Sequence, residues 1–88
     1  MKDILSEKDA QAVEEILTDQ LDVNPEQLTP EARLKDDLGA DSLTLVEITM
    51  AIEDRFNMSV PDENWERVRT VGELYELLAE LLQEHRPH

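Results

Sequence analysis

The chain has 88 residues, enough for one hydrophobic core and not for two. Its 22 acidic and 8 basic side chains give a formal charge of −14, which repels nucleic-acid backbones and anionic membranes and attracts partners carrying basic patches. There is no cysteine, hence no disulfide framework, thiolate metal site or cysteine nucleophile.

The elements read as follows in chain order. A first helix is expected over Ser6–Leu21. Ser6 and Asp9 form a capping pattern, and Val13, Ile16, Leu17 and Leu21 recur at helical spacing. Asn24-Pro25 is expected to stop it, since the residue before proline avoids helical geometry. A long connection, Asp22–Ala40, carries Val23, Leu28, Leu34 and Leu38, which pin it to a core; loops this long are usually functional. A second helix is expected over Asp41–Phe56, ending at Asn57. A brief third follows from Asp62 through Val68. Thr70 and Glu73 open a last helix whose apolar positions run from Val71 to Leu82. Residues 1–84 make one domain in this reading, and 85–88 a frayed tail. The expected fold class is all-α, a four-helix bundle with a long first loop and a short third helix.

No apolar run nears the roughly 20 residues that span a bilayer. The opening MKDILSEKDAQ lacks the apolar stretch of a signal peptide. The expectation is a cytoplasmic monomer that binds no nucleic acid and does not insert stably into membranes.

The second helix is apolar on two sides. At 100° per residue, Leu45, Ile48, Thr49, Ile52 and Phe56 make one stripe, the ordinary core face. Leu43, Val46 and Met50 lie nearly opposite, with Glu47 and Asp54 beside them. Two accounts fit. A central bundle helix is covered on both sides. Alternatively, the second face docks transient partners through a small apolar centre and an acidic rim, which the acidic side chains at 47, 53 and 54 favour.

Gly39-Ala40-Asp41-Ser42 runs into the start of that helix. Asp41 and Ser42 are ordinary capping residue types. A helix start also offers free N–H groups and the positive end of the dipole to a phosphate. A serine there suits a phosphodiester, and Gly39 admits close approach by a modifying enzyme.

The stretch Leu38-Gly39-Ala40-Asp41-Ser42-Leu43 resembles the phosphopantetheine attachment motif of acyl carrier proteins. The resemblance continues through Val46-Glu47, Met50-Ala51-Ile52-Glu53, Phe56, Val60-Pro61-Asp62 and Thr70-Val71, and covers residues 5–84 in register. It implies that Ser42 receives 4′-phosphopantetheine from coenzyme A through a phosphopantetheinyl transferase. The arm's thiol would hold an acyl group as a thioester for acyl-transferring and synthase enzymes with basic docking patches, and the chain itself would catalyse nothing. Asp41, Leu43, Val46, Glu47, Met50 and Glu53 match positions that family members use in docking; Asp54 joins them from the helix geometry. An acyl cavity would be lined by Leu45, Ile52, Val60, Val68 and Leu74.

Two positions depart from the family pattern. Thr44 stands where an acidic residue is common. Trp65 stands where many relatives carry a small residue; it either fills a surface groove or reshapes the mouth of the acyl cavity. Arg55, Arg67 and Arg69 read as solvated ion-pair members. Other classes fit less well. An EF-hand needs a ligand spacing that Asp36–Asp41 lacks. A hydrolase elbow and a core histidine are both missing, since the histidines are His85 and His88. The remaining alternative is an unmodified acidic scaffold or regulator that binds through the second helix.

Overall fold

A computed structural model describes residues 5–85. Helix α1 spans Glu7–Leu21, α2 Ser42–Phe56, α3 Asp62–Trp65 and α4 Val71–His85; a single 3₁₀ turn, Pro25–Gln27, lies in the long connection between α1 and α2. The fold is all-α. Helix α4 reaches His85, the first residue of the expected tail; residues 86–88 lie outside the described part.

Local chemistry explains the helix ends. Ser6 Oγ accepts the Asp9 N–H at 3.2 Å and caps α1. The helix ends at Leu21, as expected, but Asp22 stops it before Asn24-Pro25 is reached. Asp22 turns left-handed at φ 55°, a conformation aspartate tolerates, and its N–H returns to the Thr18 carbonyl. Pro25 instead opens the 3₁₀ turn. Helix α2 ends in the same way at Asn57, φ 54°. Helix α3 is shorter than expected. Beyond Trp65 the chain tightens into three-residue turns, with the N–H groups of Arg67 and Val68 reaching the carbonyls of Asn64 and Trp65 at 3.2 Å.

The long connection is bonded to the start of α4. The carbonyls of Ala32 and Pro30 accept the N–H groups of Val71 (2.9 Å) and Gly72 (3.0 Å). Thr70 Oγ1 accepts the Glu73 N–H at 3.2 Å. The first three N–H groups of α4, which have no partner inside the helix, are thereby satisfied. The Leu34 N–H donates to the Arg69 carbonyl at 2.9 Å, beside an isolated antiparallel bridge between Arg33 and Thr70. Gly72 is needed for this approach, since a Cβ there would lie 3.0 Å from the Pro30 oxygen.

The core collects one stripe from each long helix. Val13 and Leu17, Ile48 and Ile52, and Val71, Leu74 and Leu78 are fully enclosed. Leu28, Leu34 and Leu38 from the connection are buried with them. Each such side chain contributes roughly 1.5–3 kcal/mol through burial.

Candidate functional site

The turn into α2 begins at Gly39, whose φ of +74° is the left-handed value that favours glycine. An added Cβ would meet nothing of this chain within 4 Å, so the space beside Gly39 is open to another molecule. Asp41 follows as the N-cap. Its Oδ1 accepts both the N–H and the hydroxyl of Thr44, each at 2.8 Å. These bonds, the backbone one foremost, hold the Asp41 carboxyl below its usual range. The helix start is therefore not the empty anion cradle expected from sequence, because Asp41 already occupies part of it.

Ser42 is the first residue of α2 and is exposed. Its hydroxyl makes no hydrogen bond with any other described side chain or with the described backbone. An exposed, unbonded hydroxyl beside an open turn fits a covalently attached phosphodiester arm. Thr44, the first departure, completes the Asp41 cap with its hydroxyl.

The second face of α2 is open. Leu43 is 68% exposed, Val46 53% and Met50 62%. No other described element covers them, which overturns the account of a helix buried on two sides. Glu47 and Asp54 are exposed on the same side. Glu53 is half-buried, and its Oε2 accepts the Val60 N–H at 2.8 Å, so it also ties the α2–α3 connector to the end of α2.

The six residues expected around an acyl cavity separate into two groups. Leu45, Trp65 and Val68 line a cavity of about 570 Å³ beside the long connection. Ile52, Val60 and Leu74, at 0%, 2% and 0% exposure, are packed into the core instead. Arg33, Leu34, Lys35, Asp36, Glu66 and Arg69 complete the wall, and no local signal in the sequence placed them there. Trp65 packs against the core, and its Nε1 is buried without a hydrogen-bond partner among the described residues. Of the three arginines expected in ion pairs, Arg55 faces Glu15 at 3.9 Å and Arg67 donates to Asn64 at 3.4 Å; the Arg69 guanidinium forms no ion pair with a described residue.

Residues 11–78 match the family model described as the phosphopantetheine attachment site. The chain is 47% identical over 62 residues to the acyl carrier protein of Wolinella succinogenes, covering 70% of this chain and 82% of that one. This chain belongs to the acyl carrier protein family. The acyl carrier protein of Syntrophobacter fumaroxidans is 49% identical over 65 residues (74% of this chain, 80% of that one). That of Clostridium perfringens strain SM101 is 46% identical over 68 residues (77% and 90%). An acyl carrier protein is a carrier and not an enzyme, and its prosthetic group is 4′-phosphopantetheine. It acts with a phosphopantetheinyl transferase and with biosynthetic enzymes. The unmodified-scaffold alternative is not favoured by these matches. Among the described residues, no helix is long and apolar enough to cross a membrane.

Proposed function

We propose that this acyl carrier protein is modified on Ser42 and serves the synthesis of fatty acids, lipids or polyketides. The supporting observation is the Ser42 hydroxyl: exposed, without an internal hydrogen bond, and at the first position of α2. Ser6 is unsuited, because its hydroxyl caps α1. When bound, the arm supplies a terminal thiol that holds an acyl group as a thioester.

The chain's own residues present the arm. Leu43, Val46 and Met50 form the apolar centre of a docking face, and Asp41, Glu47, Glu53 and Asp54 supply its acidic side. A partner with apolar contacts ringed by Arg or Lys complements it, and the −14 charge speeds the encounter at low salt. The same charge keeps copies of the chain apart, so the carrier works as a monomer, in the cytoplasm.

Incubation with coenzyme A and a broad-specificity phosphopantetheinyl transferase, followed by peptide mapping, tests the assignment. The adduct is expected on the peptide containing Ser42. An adduct on Ser59 or Ser6, or none, defeats it.

A further inference from the structure

The cavity beside Trp65 has an unusual charge for this molecule. Three cationic residues line it, Arg33, Lys35 and Arg69, against two carboxylates, Asp36 and Glu66. The wall is net positive in a chain of net charge −14. The cations are not equivalent. Arg33 is engaged by Asp36 and Asp37, both at 3.4 Å. Lys35 and Arg69 make no ion pair within 4 Å of a described residue, and Arg69 acts on the Glu73 carboxylate only at longer range. Both are exposed, so their charges are available at the rim.

Below the rim the lining is apolar: Leu34, Leu45, Trp65 and Val68. Trp65 adds the buried indole N–H that lacks a partner. An unpartnered buried donor is costly and calls for an acceptor. Leu45 sits three residues after Ser42 on α2, a rise of about 4.5 Å along the helix. That is far shorter than the pantetheine arm, so a group tethered at Ser42 reaches the cavity.

We propose that this cavity receives acyl groups ending in a carboxylate, with the carboxylate held by Lys35 and Arg69 and the chain lying against Leu45, Trp65 and Val68. Arg69 offers a planar pair of donors that matches a carboxylate, and Lys35 adds a second positive charge. A purely alkyl chain gains the apolar wall and leaves both cations unused. The carrier thus discriminates between cargoes through residues remote from Ser42 in sequence. The inference rests on attachment at Ser42.

The chain's single tryptophan gives a clean probe. The ¹⁵N-labelled protein is loaded from succinyl- or butyryl-coenzyme A, equal in chain length and different only in the terminal carboxylate. Holo protein with a free thiol is the baseline, so an effect of the arm's own phosphate appears there first. Intact mass and peptide mapping establish loading on Ser42 before any spectrum is taken. The expected result is a shift of the Arg69 Nε–H and Trp65 indole N–H signals with succinyl, and no shift of the Arg69 signal with butyryl. In Lys35→Gln/Arg69→Gln, which has no Arg69 Nε–H, the comparison is read on the Trp65 indole N–H, whose succinyl–butyryl difference disappears; both side chains are exposed, and the backbone bonds of Arg69 are kept. Equal Arg69 shifts for the two cargoes, shifts already complete in holo protein, or a difference that survives in the double variant overturn the inference and leave attachment at Ser42 standing. Failure to load Ser42 at all overturns both.

Discussion

Thr44 gives both its backbone N–H and its hydroxyl to one carboxylate oxygen of Asp41, each at 2.8 Å. This pairing fixes the turn that presents Ser42. It also gives a physical account of the threonine found where an acidic residue is common in the family. A second carboxylate there would face Asp41 with like charge, whereas a hydroxyl donates to it.

Replacing Thr44 by valine removes the hydroxyl and keeps the backbone bond. The Asp41 carboxyl, held low first by the Thr44 N–H and then by its hydroxyl, then titrates closer to the usual range. An NMR titration of the side-chain carboxyl compares the two proteins. An unchanged Asp41 titration would show that the hydroxyl contributes nothing to the cap.

Glu73 gives a pH dependence of known sign. Its carboxylate accepts the N–H groups of Arg69 and Thr70 and the Thr70 hydroxyl, and these bonds hold its pKa down. A group depressed in the folded state stabilises fully above its unfolded pKa and loses that contribution as the pH falls through the folded one. Wild type should therefore exceed Glu73→Gln in stability at neutral pH. The gap should close as the pH drops below about 4. Urea unfolding of both proteins across that range measures it; a gap independent of pH would contradict the assignment.

Exposed and enclosed apolar residues should behave oppositely. Met50 is 62% exposed and Leu74 is 0% exposed. Met50→Ala is expected to change stability by no more than about 0.5 kcal/mol while weakening binding to a basic partner enzyme. Leu74→Ala is expected to cost about 2–5 kcal/mol. Denaturant unfolding and surface plasmon resonance against an immobilised transferase separate the two effects.

Gly39 should resist substitution for backbone reasons alone. With φ +74° and open space for a Cβ, Gly39→Ala costs about 1 kcal/mol through the left-handed conformation. Thermal unfolding reports the loss.

What was legible in the sequence is what is local. Ser6, Asn57 and the Thr70–Glu73 pair announce helix ends because a cap is made within a few residues of itself. The second apolar face of Leu43, Val46 and Met50 follows from helical periodicity, while its exposure, which periodicity left undecided, came from the structure. The end of α1 fell at Leu21 as expected, but its cause was not legible, because Asp22 adopts a left-handed turn that aspartate does not advertise. The last turn of α3 was misread because apolar spacing to Val68 does not separate an α-helix from tighter turns. The lining of the cavity beside Trp65 was not legible for a different reason. Lys35 and Trp65 are 30 positions apart, and they come together through the pairing of Arg33 with Thr70 and the Leu34–Arg69 bond. No local pattern encodes such a pairing.

The most direct test of the account is the mass of the protein after incubation with coenzyme A and a phosphopantetheinyl transferase. Wild type should gain one 4′-phosphopantetheine, and Ser42→Ala, which keeps the Asp41–Thr44 cap, should gain none. An adduct on Ser42→Ala, or none on wild type, would contradict the central claim.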